Sequence, residues 1–192
     1  MKRLLLTCLV TTAIAGPAFA ALKQGDAAPA FSAQASQAGK EFTFSLQEAL
    51  KKGPVVVYFY PSAYTQGCNV QARTFSVNEE KFSAAGASIV GVSLDSIQRL
   101  NEFSADPEFC AGKFPVASDA DGKIAKSFDL NVRQATGVKD TRGAEVEHGF
   151  AERTTFVVTP DGKVSATIGG MTPTENVMKA LEAVQQIKAK KS

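Results

Sequence analysis

The sequence is short of the residues that build metal and redox clusters. It holds three Cys and one His in 192 residues. A closed tetrahedral zinc site made from Cys and His alone would consume all four. Charge of one sign is also missing. Lys and Arg number 21 against 19 Asp and Glu, a net of +2, without the basic bias of a nucleic-acid binder. No repeat of solenoid period and no low-complexity tract occurs. The one long apolar run, near the N-terminus, falls short of the ~20 residues a spanning helix needs. No C-x-x-C pair is present, which argues against a thioredoxin-like disulfide reductase or isomerase.

What is there suits one globular domain. Apolar residues make up 44% of the chain, with 13 Phe and no Trp supplying the bulk. Met1-Lys2-Arg3, an apolar run from Leu4 to Ala15, the Gly16-Pro17 break and Ala18-Phe19-Ala20 form a secretory signal peptide pattern. Residues 1–20 are therefore expected to be a leader, and residues 21–192 the domain. Cleavage would remove Lys2, Arg3 and Cys8. The remainder carries as many basic as acidic residues and keeps Cys68 and Cys110, in a compartment where disulfides persist. An exported, periplasmic location is expected.

The domain alternates strand and helix patterns. Residues 31–36 and 41–44 flank a short polar turn and read as a hairpin. Ser45-x-x-Glu48 opens a short helix that Gly53 ends. Residues 55–60, Val-Val-Val-Tyr-Phe-Tyr, are the continuous apolar run of a strand buried on both faces. Helix patterns follow over about 66–84, 96–105 and 121–129, with a second buried strand at 88–94. Residues 154–159 and 164–168 read as strands joined by a Pro-Asp-Gly-Lys turn. Thr172-Pro173-Thr174-Glu175 then starts the last helix. The fold class is α/β, with a mixed sheet covered by helices.

Chemistry concentrates where the 55–60 strand ends. Tyr60-Pro61 leaves the strand, and Thr65 is a good N-cap. Cys68 then falls at N3, in the first helical turn. A thiolate there meets unpaired backbone N–H groups and the positive end of the helix dipole. Ligand sites in α/β sheets gather at such strand ends.

Pro61-x-x-x-Thr65-x-x-Cys68 resembles the active-site motif of the peroxiredoxins. Three further segments are similar to family stretches in the same order: Gly25-x-x-Ala28-Pro29-x-Phe31, Phe114-Pro115-x-x-Ser118-Asp119-x-x-Gly122 and Arg153-x-Thr155-Phe156-Val157-Val158. The Phe59-Tyr60-Pro61-x-x-x-Thr65-x-Gly67-Cys68 string is most like the bacterioferritin-comigratory subfamily. The resemblance implies a thioredoxin-like fold with an N-terminal hairpin. It implies reduction of hydrogen peroxide or organic hydroperoxides at the expense of an external thiol. Cys68 would be the nucleophile that becomes a sulfenic acid. Thr65 would hydrogen-bond the peroxide, Arg153 would hold the thiolate and the developing charge, and Pro61 would shield the pocket. No cofactor, metal, nucleic acid or membrane is implied, and a monomer or a dimer both fit.

The pattern departs from the family in places. Arg73 stands where many members carry a second Cys, so a disulfide within that helix is excluded. Gln66, Asn69 and Gln71 replace a usual proline, threonine and glutamate. Cys110, placed at the end of the helix after the second buried strand, has three open readings. It is a resolving cysteine for Cys68, an inert buried thiol, or half of a permanent bridge worth about 4 kcal/mol. His148 follows the loop 139–147 and is read as a loop histidine with no assigned role. Tyr64 is assigned to the pocket wall or to packing. A non-catalytic binding or chaperone-like domain on the same fold is the alternative function.

Overall fold

Val55–Phe59 forms β3, and every residue in it is buried. A strand with no solvent-facing side needs a layer on each face. In the computed structural model, which describes residues 21–190, those layers are helical. The expected leader, residues 1–20, lies outside the described residues. The strands in chain order are β1 (Ser32–Gln37), β2 (Lys40–Ser45), β3, β4 (Ser88–Ser93), β5 (Val116–Ser118), β6 (Val132–Arg133), β7 (Phe150–Ala151), β8 (Thr154–Val158) and β9 (Val164–Gly169). Seven of them form one mixed sheet in the order β2-β1-β5-β4-β3-β8-β9, while β6 and β7 pair separately. The expected α/β architecture with an N-terminal hairpin is the one observed.

Alternation along β3 divides the core. Val56, Tyr58 and Tyr60 point to the face covered by α2 (Gln66–Ala84), α3 (Ile97–Ala105) and α5 (Pro173–Ala189), with Phe75, Phe103 and Val177. Val55, Val57 and Phe59 point to the face of α1 (Leu46–Leu50) and α4 (Lys123–Ser127), with Leu46, Phe128 and Phe156. Among the described residues no helix is long and apolar enough to cross a membrane.

Register positions the site. β3 runs parallel to β4 and antiparallel to β8, with Phe59 opposite Thr154. Arg153, just before Thr154, therefore emerges beside the chain that leaves β3 through Tyr60 and Pro61. The β1–β2 turn uses Ala38 and Gly39 at φ 52° and 76°, the paired positive φ values that match strand twist in a two-residue hairpin.

Several elements differ from the pattern reading. β5, a three-residue strand directly after Pro115, is too short to carry a periodicity, yet it joins β1 to β4. The helix expected over 121–129 is only α4. Asp119 accepts the Ile124 and Ala125 N–H groups at 2.9 and 2.8 Å, and Gly122 takes φ 68° before it. The helix before Cys110 ends at Ala105. Asp106 is extended (φ −61°, ψ 118°), as the residue before a proline prefers, and Cys110 lies in the turns beyond.

Candidate active site

The site is built at the end of β3 and the first turn of α2. Helix α2 starts at Gln66, as its pattern indicates, and buries Cys68, Gln71, Ala72 and Phe75 at helical spacing. Thr65 occupies the N-cap with extended geometry (φ −88°, ψ 147°), but its side chain makes no capping bond. Its hydroxyl instead donates to the Ser62 carbonyl at 2.8 Å. This corrects the expectation of a capping threonine. A side-chain cap would need the Thr65 oxygen to accept the N3 N–H, but that N–H, Cys68's, goes to the Thr65 carbonyl instead, and the hydroxyl lone pairs stay available as acceptors.

Cys68 is 1% exposed. Its Sγ lies 3.4 Å from Arg153 Nη2. The other guanidinium nitrogen, Nη1, donates to Gln71 Oε1. Gly67 makes room for this approach, since a Cβ there would lie 3.1 Å from Arg153 Nη2. Pro61 and Arg153 share the wall of a 510 Å³ cleft with Asn131, Arg133 and Phe150. The structure thus brings three of the expected residues, Pro61, Cys68 and Arg153, to one place. Thr65 stands one helical turn before Cys68, and the Cys68 N–H donates to its carbonyl at 3.0 Å.

Cys110 is a free, fully buried thiol in the same core cluster as Cys68. Burial pushes its ionisation well up, and Asp106 adds to the shift. Tyr64 belongs to packing. It is 3% exposed, takes φ 61°, and sets its ring edge-to-face on Phe103 and Phe109 at 5.1 and 5.7 Å. The Arg142 guanidinium sits 3.4 Å from its ring centroid, a cation–π contact.

Comparison with known proteins gives the family. The sequence model of the AhpC/TSA family matches residues 24–167.

The chain belongs to the AhpC/TSA family.

Its relatives are peroxiredoxins. Peroxiredoxin Bcp of Escherichia coli (strain K12) is 32% identical over 143 residues, 74% of this chain and 83% of its own length. Peroxiredoxin Bcp of Xanthomonas campestris pv. campestris is 34% identical over 110 residues, 57% of this chain and 62% of its own length. The crystal structure of peroxidoxin BcpB from Mycobacterium tuberculosis superposes with a TM-score of 0.73 at 30% identity, covering 86% of this chain and 98% of that one. The sheet and flanking helices are therefore those of a peroxiredoxin, and the Bcp resemblance of the motif is matched across most of the domain.

Sequence reasoning missed the groups that hold this peroxiredoxin site in place. His148 is not an idle loop residue. Its Nε2 lies 2.8 Å from Asp95 Oδ1 and its Nδ1 lies 2.8 Å from the Gly149 carbonyl. Asp95, fully buried, also accepts from Ser62 Oγ (2.9 Å), the Ala63 N–H (2.8 Å) and Ser93 Oγ (2.7 Å). Arg99 pairs with Asp95 and Asp140, both at 2.9 Å, and donates to the Ala63 carbonyl at 2.7 Å. These residues run from Ser62 to His148, and Asp95 and His148 are 53 positions apart; only Asp95 and Arg99, four residues apart just after the buried β4 strand, offer a local signal.

Proposed function

We propose that this peroxiredoxin is an exported thiol-dependent peroxidase that reduces hydroperoxides through Cys68. The observation that carries the reading is Arg153 Nη2 at 3.4 Å from a buried Cys68 Sγ in the first turn of α2. A desolvated thiolate beside a fixed cation is a nucleophile held where charge develops.

The Cys68 thiolate attacks one oxygen of the hydroperoxide. The S–O bond forms as the O–O bond breaks, and the leaving oxygen takes a proton to give water or an alcohol. Cys68 is oxidised to a sulfenic acid by two electrons. Thr65 Oγ, its own proton committed to Ser62, accepts the O–H of the bound hydroperoxide. Arg153 stabilises the departing charge with its fork of donors. Pro61 shields the cleft from water.

Cys110 is the resolving thiol. Its attack on the sulfenic sulfur forms a Cys68–Cys110 disulfide and releases water. An external thiol then returns both cysteines to the reduced state. Because Cys110 is buried beyond α3, this step requires local opening. The segment is turns rather than helix, with Ala111 and Gly112 at φ 52° and 67°, so opening breaks a few turn bonds, such as Ala111 N–H to the Asp106 carbonyl and Gly112 N–H to the Ser104 carbonyl. The leader pattern supports a domain of residues 21–192 working in the periplasm, and a monomer or a dimer fits the reading.

Intact mass after one equivalent of hydrogen peroxide tests the reading. A loss of about 2 Da is expected, against a gain of about 16 Da in Cys110→Ser and no change in Cys68→Ser. Unchanged mass in the wild-type protein would instead support a non-catalytic domain.

A further inference from the structure

Gln71 and Asn176 are both buried, with 0% and 1% exposure, and lie 105 residues apart in sequence. Buried amides must be satisfied or they cost free energy. Here their orientation is forced. Arg153 has only donors, so the Gln71 atom facing it is Oε1. Gln71 Nε2 therefore points away, and it donates to Asn176 Oδ1 at 3.0 Å. Thr155 Oγ1 donates to the same oxygen at 2.6 Å. Asn176 Nδ2 then donates to the Ile168 carbonyl at 2.9 Å.

The two anchors of Asn176 are themselves fixed. Thr155 and Ile168 face each other across the β8–β9 ladder. Asn176 sits in the first turns of α5, where a complete Thr172–Glu175 capping box holds the helix start. The chain of bonds runs from the sheet through Asn176 and Gln71 to the guanidinium beside Cys68. Every link is neutral, so no carboxylate on this path competes with the thiolate for Arg153.

From this juxtaposition we infer that Asn176 is a positioning residue of the peroxidase, fixing the Gln71 amide so that Arg153 is aimed at the Cys68 sulfur. The inference rests on the peroxidase reading above. It gives α5, the last helix, a part in the chemistry that its distance along the chain conceals.

The test is Asn176→Ala, with Gln71→Met as a second variant that keeps side-chain length and removes the amide. Three quantities are read: kcat/KM for hydrogen peroxide, the pH profile of Cys68 alkylation by iodoacetamide, and Tm. Both variants should lower kcat/KM by about five- to tenfold, the effect of one lost hydrogen bond, and should move the alkylation profile toward higher pH. Thr155→Ser, which keeps the hydroxyl, should leave the profile in place, while Thr155→Val should move it part of the way. If Asn176→Ala does not fold, Gln71→Met alone decides. A fall in Tm with rate and profile both within about twofold of wild type overturns the inference, since a missing bond of ordinary strength would then be purely structural. A wild-type protein no more active than Cys68→Ser would instead overturn the peroxidase reading, and the alkylation profile would still judge the positioning.

Discussion

Asp95 Oδ1 and His148 Nε2 lie 2.8 Å apart, and this contact ties the 140–148 loop to the turn that carries the active-site motif. Both ring nitrogens of His148 face acceptors, Asp95 and the Gly149 carbonyl. That arrangement favours the doubly protonated imidazolium.

The pair makes stability depend on pH with a definite sign. Burial works against the charged imidazole, but the hydrogen bond and charge of Asp95 outweigh it and raise the His148 pKa. Burial would likewise raise Asp95, yet the hydrogen bond and charge of His148, with Ser93 and Ala63, hold it below the usual carboxylate range. A raised His pKa contributes stability that is complete below about pH 6.5 and is lost as pH rises through the folded value. A lowered Asp pKa contributes stability above about pH 4 that is lost as pH falls through the folded value. The Tm gap between wild type and His148→Ala should therefore be larger at pH 5.5 than at pH 9. A gap that does not change between those pH values would refute the assignment.

Gly67 separates activity from stability. A Cβ at this position would lie 3.1 Å from Arg153 Nη2, the far end of a flexible side chain, and 3.6 Å from Pro173 Cγ, an ordinary contact. The backbone has room, and Ala is the better helix former by about 1 kcal/mol. Gly67→Ala should keep or raise Tm while pushing the guanidinium off Cys68 and lowering kcat/KM about tenfold, a change of ~1.4 kcal/mol in barrier. Denaturation curves and steady-state peroxide assays on one preparation check both halves.

Gly91 behaves in the opposite way. A Cβ there would lie 2.6 Å from the Tyr58 ring. That ring cannot retreat, because it stacks on Phe75 and Tyr60 with centroids 4.5 and 5.3 Å away. Overpacking of this kind costs about 1–3 kcal/mol. Gly91→Ala should show a lower urea midpoint with an unchanged slope; an unshifted midpoint would mean that the core yields more easily than its packing indicates.

The two thiols should differ in reactivity. Burial and Asp106 keep Cys110 protonated, whereas Cys68, although as deeply buried, has the Arg153 guanidinium 3.4 Å from its sulfur. Brief iodoacetamide treatment of the reduced native protein should label Cys68 first, with Cys110 labelled only after unfolding. Peptide mapping reads the order, and equal labelling would contradict the part given to Arg153 beside Cys68.

Local signals determined much of this protein. The unbroken apolar run at 55–60 specified a doubly covered central strand, because only helices on both faces can bury both sets of side chains. Thr172-Pro173-Thr174-Glu175 specified the start of α5, because a cap, a fixed φ and a returning carboxylate act within one turn. The spacing of Pro61, Thr65 and Cys68 placed a thiol in the first turn of a helix. Arg153 was legible through its segment's resemblance to a known family, with no physical link to Cys68 visible in the chain itself. Tertiary structure decided the rest. Antiparallel pairing of β3 with β8 set Phe59 opposite Thr154 and so carried Arg153 to the sulfur. Folding brought Asn176 to Gln71 and His148 to Asp95. Those contacts depend on which buried donor meets which buried acceptor across the fold, and that matching has no period or spacing along the chain.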